Sequence, residues 1–199
     1  MEQEELIEKV ISGIFVPLEA SGRHVHVTKE QAQTLFGHGL TPKRPLSQPG
    51  QYLAEERVTV QGPKGEFSNV AVLGPERSEG QVEVSLTDGK TLGITPPVRL
   101  SGQIENTPGA ALIGPRGRVD LPRGVIAAKR HIHMTPAAAA HFGVKDKQVV
   151  RLQTYTGRPV IFADTVVRIS PDFATYVHLD YDEANACGFQ NGDLGRLLM

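Results

Sequence analysis

The chain has 199 residues and a mass of 21.6 kDa, with 39% hydrophobic and 22% charged residues, which suits one or two folded domains and excludes a disordered chain. Twenty-one basic against 22 acidic side chains give a formal charge of −1, which excludes a general basic field for nucleic acid or anionic lipid. A single cysteine, Cys187, excludes an intrachain disulfide framework and a cysteine-rich zinc cluster.

The start, Met1-Glu2-Gln3-Glu4-Glu5, is acidic where a secretory signal needs positive charge. The apolar run Val10 to Leu18 is broken by Ser12, Gly13 and Pro17, too short for a membrane span. The expected location is the cytoplasm. Leu6, Ile7, Val10, Ile11 and Ile14 recur at helical spacing and predict a short amphipathic helix over Glu2 to Ile14. It suits either a helix packed on the domain or a tail that docks on a partner.

Beyond it the pattern is of short strands and turns. Thr28 caps a helix predicted over Lys29 to Phe36, and the Pro/Gly-rich stretch Gly37 to Gly50 reads as loop. Strands are predicted at Val58–Val60, Val70–Val72 and Val82–Val84, with Gly62-Pro63-Lys64-Gly65 as a hairpin loop. Gly114-Pro115-Arg116-Gly117-Arg118 reads as a basic turn. Thr135, with Pro136 at the first helical position, caps a helix over Pro136 to Phe142. Strands follow at Val149–Leu152, Val160–Phe162 and Tyr176–Leu179, with a hairpin loop at Tyr155 to Arg158, and then a helix over Tyr181 to Cys187. The expected fold class is mainly β with short helices.

The chain also repeats itself. Arg23-His24-Val25-His26-Val27-Thr28 returns as Arg130-His131-Ile132-His133-Met134-Thr135, and each copy leads to a helix ending in Phe-Gly, at Phe36-Gly37 and Phe142-Gly143. Val82 to Asp88 leads to Gly93 as Val177 to Asp182 leads to Gly188, eleven residues on in both cases. This predicts two similar small β units from a diverged duplication, with an insertion between Gly37 and Val58 and with Gly102 to Gly124 between the copies.

One His-x-His is a weak signal, but two in matching hexapeptides are not. On a strand, residues i and i+2 share a face, so each pair is a ready two-point metal grip. Aligning Val82 with Val177 sets Glu83 opposite His178, both metal-competent. One copy then offers His24, His26 and Glu83, and the other His131, His133 and His178. Both are three-ligand sets that leave a coordination position open, as catalytic zinc sites do. Zinc is the first expectation, although nickel, cobalt and iron suit the same donors. Arg77 lies a few residues before Glu83, where a hairpin would bring its guanidinium near the metals; a solvated surface charge is the plainer reading. Cys187 reads as a packed residue, and His38 and His141 as non-ligands.

These residues resemble the PduL-type phosphate propanoyltransferases, phosphotransacylases best known from bacterial microcompartments. The resemblance rests on Ser21 to His26, Leu46 to Tyr52, Gly62 to Gly65, Leu73 to Ser78, Thr107 to Gly109, Lys129 to Met134 and Asp182 to Ala186. It implies reversible acyl transfer between coenzyme A and inorganic phosphate, and two small β-barrels capped by short helices with two zinc ions at their junction. The implied division is a tail over 1–13, a first barrel over 23–128, and a second barrel over 14–22 plus 129–199 that takes in the leading strand. Residue by residue it implies the two metal triads above, Arg77 as phosphate-site arginine, Ser21 and Asn185 as coenzyme A contacts, and Ser101 near the metals. Some members carry Arg where this chain has Ala71, so one coenzyme contact is expected to be absent or moved. The implied chemistry sets the thioester sulfur at the first metal and phosphate at the second with Arg77. It also implies propanediol degradation as setting, shell proteins as partners of the tail, and a homo-oligomer. Two other readings stand beside it on the residues alone: a zinc-dependent thioester hydrolase, and a non-catalytic metal-stabilised binding module.

Overall fold

The computed structural model describes residues 11–199. Most of the helix expected over Glu2 to Ile14 therefore lies outside the described residues. In chain order the strands are β1 (Val16–Ser21), β2 (His24–His26), β3 (Pro42–Pro45), β4 (Tyr52–Gln61), β5 (Glu66–Gly74), β6 (Gln81–Val84), β7 (Val98–Arg99), β8 (Ala110–Ile113), β9 (Arg118–Leu121), β10 (Val125–Ala128), β11 (His131–Met134), β12 (Val149–Tyr155), β13 (Ile161–Ile169), β14 (Tyr176–Asp180) and β15 (Leu194–Leu198). Four short helices lie among the described residues: Lys29–Phe36, Leu86–Leu92, Pro136–Phe142 and Tyr181–Cys187. The protein is mainly β, as expected. No described helix is long and apolar enough to cross a membrane.

Local chemistry sets the helix ends. Thr28, Ser85, Thr135 and Asp180 are the N-caps, each accepting an N–H of the first turn. Each helix stops at a glycine with positive φ, Gly37, Gly93, Gly143 and Gly188, a conformation that a Cβ would strain. Three of these four match the sequence expectation; Leu86–Leu92 does not, because Thr87, Gly89 and Thr91 are poor helix formers. Its capping box on Ser85 and Asp88 and its stop at Gly93 were the available signals. Pro42–Pro45, expected as loop, forms a short strand on β4. Its two prolines cannot donate to a ladder and suit an edge. The stretch expected between the two copies carries β8 and β9.

The chain divides into two units, one taking the chain up to Ser21 and again from Arg130 to Met199, the other Gly22–Lys129. The first is a closed barrel in the order β1-β14-β11-β13-β12-β15, sealed where β1 pairs antiparallel with β15. Its core is built from Val16, Leu18, Ile132, Met134, Leu152, Val167, Val177 and Leu179. Cys187 joins that core, fully buried, and burial pushes its thiol up, which makes it a packing residue.

The second unit is a nine-stranded sheet curled into a half-barrel, with its own core around Val25, Val27, Leu35, Val72, Val82, Leu112 and Val125. Its strands β10-β6-β2-β5-β4-β8 repeat the order and directions of the barrel. The repeat does not close, because β8 has β4 on one edge and β9 on the other, while β10 has β6 and β7. In both units the strand that immediately precedes a His-x-His motif pairs in parallel with a third-ligand strand: β1 with β14 and β10 with β6.

Leu152 is fully buried in the barrel, on β12. Leu152→Ala is expected to cost about 2–5 kcal/mol of stability, measured by urea unfolding.

Candidate metal centres

The alternation of each strand places the candidate ligands. In β2, Val25 faces the core with no exposure, so His24 and His26 both face the other side. In β11, Ile132 and Met134 take the core and leave His131 and His133 together. The third ligand of each set comes from the neighbouring antiparallel strand. Glu83 stands directly opposite His24, and His178 directly opposite His131. Cβ atoms in such a pair lie roughly 5 Å apart, close enough for one ion. The structure thus brings together His24, His26 and Glu83 in one unit, and His131, His133 and His178 in the other. Within each set the donor atoms lie within 4.8 Å of one another.

The donor chemistry of the first set fits a zinc-like ion. His24 donates from Nδ1 to the Gly22 carbonyl at 2.8 Å, and His26 from Nδ1 to the Leu73 carbonyl at 3.2 Å. Both Nε2 lone pairs are thereby set toward the cluster, as in metal-ligating histidines generally. His24 Nε2 lies 3.7 Å from Glu83 Oε1. Burial opposes the charge on Glu83, but His24 and His26 beside it and the Ser101 hydroxyl outweigh that and hold its carboxyl far below the usual range. Burial also opposes protonation of His24, yet the Glu83 carboxylate wins and raises it. Burial, then His24, then Arg77, keep His26 well below the ordinary histidine value.

Ser101 and Arg77 belong to this same cluster. The Ser101 hydroxyl accepts from Arg77 Nη1 and from Gln81 Nε2, both at 2.9 Å. Gln81, only 2% exposed, also donates to Glu83 Oε1 at 2.6 Å and accepts from the Gly102 N–H at 2.8 Å. Sequence reasoning missed Gln81; its signal was the position two before Glu83, on the same face of β6. Arg77 is anchored by its own N–H to the Val27 carbonyl at 2.9 Å.

In the second set the His131 and His178 rings stack at 5.0 Å, and His133 Nδ1 lies 3.1 Å from His178 Nε2. Glu19, from β1, stands opposite His178 with its carboxylate 3.5 Å from His178 Nδ1. It too was missed, because it lies more than a hundred residues earlier in the chain. Phe173 covers the His133 ring at 4.1 Å. Ser21 ends β1, and Asn185 is an exposed residue of the helix Tyr181–Cys187, which packs beside that strand. Ala71 lies opposite His24 on β5. His38 and His141 lie outside both sets and face the carbonyls of Gly39 and Gly13.

Comparison with known proteins points to one family. The family model described as phosphate propanoyltransferase matches residues 17–190. A phosphate propanoyltransferase of Clostridioides difficile is 50% identical over 197 residues, covering 98% of this chain and 94% of that protein. One of Enterococcus faecalis is 53% identical over 202 residues, covering 98% and 96%. One of Thermotoga maritima is 54% identical over 177 residues, covering 87% and 84%.

Elemental analysis after zinc loading and desalting is expected to find two ions per chain, one for each set. Glu83→Ala and His178→Ala are each expected to remove one ion and leave the other.

Proposed function

The chain belongs to the phosphate propanoyltransferase family, and from that premise we propose that it transfers a short acyl group directly between coenzyme A and inorganic phosphate, with a zinc ion at each triad. It is a phosphate acyltransferase. The net reaction is acyl-CoA plus phosphate to acyl phosphate plus CoA: the C–S bond breaks, a C–O bond forms, and the thiolate leaves. The observation that supports the two-site reading is the repeated register, which sets a third donor opposite the first histidine in each half.

Zinc bound at the triads would supply Lewis acidity, keeping the departing thiol ionised at neutral pH against its ordinary pKa of about 8.5 and polarising the thioester carbonyl. His24, His26 and Glu83 would hold one ion, and His131, His133 and His178 the other. Phosphate is already anionic at neutral pH, so it needs positioning more than it needs a base. Arg77 performs that role, with its guanidinium fork matched to phosphate oxygens and its Nη1 fixed by Ser101. The same charge stabilises the developing oxyanion, worth roughly 3–4 kcal/mol per well-placed donor. Ser21 and Asn185 are proposed coenzyme A contacts. The one cysteine is buried in a core, which supports transfer without an acyl-cysteine stage. The amphipathic start of the chain is proposed as a docking tail for a compartment shell.

Release of free CoA from propanoyl-CoA is expected to require phosphate and to stop when a chelator strips the metal. Phosphate-independent release would instead mark a hydrolase, and no turnover a binding module. Arg77→Ala is expected to raise the KM for phosphate and to lower kcat about 100-fold; full turnover would remove Arg77 from the site. Mass spectrometry of enzyme with propanoyl-CoA alone is expected to find no acylated chain. Removing residues 1–13 is expected to leave turnover intact and to abolish co-sedimentation with shells.

A further inference from the structure

The two triads share a contact that the proposed reaction does not use. An arginine stands just before the first ligand in each half, Arg23 before His24 and Arg130 before His131. Arg23 donates from Nε to Asp88 Oδ2 at 3.1 Å and from Nη2 to Asp88 Oδ1 at 2.6 Å. Arg130 donates from Nη1 to Glu183 Oε1. The two acids are equivalent. Each is the third residue of the helix that follows the third ligand, and each also accepts the N–H of its own N-cap: Ser85 to Asp88 Oδ2 at 3.2 Å, and Asp180 to Glu183 Oε2 at 3.3 Å. Those N-caps lie two residues past Glu83 and His178. One carboxylate therefore links the start of the paired-histidine strand to the end of the strand with the third ligand.

A phenylalanine lies against each guanidinium, Phe67 of β5 at 4.1 Å from Arg23 and Phe162 of β13 at 5.4 Å from Arg130. The ladders make these two equivalent, each four residues before the residue opposite the first histidine, Ala71 or Val166. Between the halves the third ligand, the N-cap and the acid have all changed type. The arginine and the phenylalanine have not.

The ladder shows why such a contact is needed. The strand β2 has three residues, and the His24–Glu83 pair is its first rung, at one end of the ladder. The His131–His178 pair is likewise a terminal rung. Terminal rungs are where ladders open first, and a flexible ligand pair loses affinity for an ion. Just beyond that rung the forked Arg23–Asp88 contact fixes both distance and angle, while Arg130 makes one contact to Glu183 and its Nε donates to the Ala163 carbonyl.

We propose that Arg23 and Arg130 are positioning residues, each holding the first and third ligands of its own triad at metal-binding spacing. The inference rests on the metal reading above. Its test measures zinc affinity by chelator competition and the visible spectrum of the cobalt(II)-substituted protein. Arg23→Met is examined in a His131→Ala background, so that only the first triad binds, and Arg130→Met in a His24→Ala background. Each is expected to weaken zinc binding about 10- to 100-fold against its own background and to alter the cobalt spectrum. Arg23→Lys keeps the charge without the fork; it secures folding where Met does not, and is expected to recover only part of the affinity. If zinc affinity and cobalt spectrum stay unchanged while only the metal-free melting temperature falls, the contact is structural and the proposal fails. If the unsubstituted chain binds no zinc, the metal reading fails instead.

Discussion

The site depends on one constraint, the period of two along a β-strand combined with antiparallel pairing. Alternation puts His24 with His26, and His131 with His133, on the face away from the core. Pairing puts a third donor directly across from the first histidine of each set. A slip of one residue in either ladder would turn the third donor into the core and bring a valine to the cluster. The apolar residues on the rung beside each pair, Val25 with Val82 and Ile132 with Val177, hold the register, because each is fully buried. Core packing and ligand placement are thus two faces of the same strands.

The duplication kept that geometry and varied the charge. In one half the third donor is a carboxylate, Glu83, held by Gln81 and Ser101. In the other it is the ring of His178, and the carboxylate moves outward to Glu19, facing the far nitrogen of that ring. The position equivalent to Glu19 in the first half is Ile126, opposite Glu83. Each set therefore meets one carboxylate, as a donor in one case and as a neighbour in the other. The donor set of the first half therefore contains a carboxylate, and that of the second half contains three imidazoles.

Around Glu83 the electrostatics are strongly coupled. A buried carboxylate is costly unless neighbours stabilise it, and here His24, His26, Gln81 and Ser101 all do so. Ser101 ties this network to Arg77 by accepting from its guanidinium. Arg77 is therefore held by the same hydroxyl that supports the Glu83 carboxylate.

The sequence by itself determined the local features. The helix caps at Thr28 and Thr135, the hairpin at Gly62 to Gly65 and the mainly β class follow from spacings of a few residues, which local sterics and hydrogen bonding control, and the alignment of Glu83 with His178 follows from the internal repeat. The helix Leu86–Leu92 lay beyond those rules, since its caps oppose the propensity of its interior. Tertiary structure alone decided the long-range partners: Arg23 with Asp88, 65 positions apart, Glu19 with His178, Gln81 with Ser101, and a closed barrel in one unit against a half-barrel in the other. The reason is physical. Alternation along a strand says which face a side chain takes, but only the pairing of distant strands, set by the competition for ladder edges, says what it meets there.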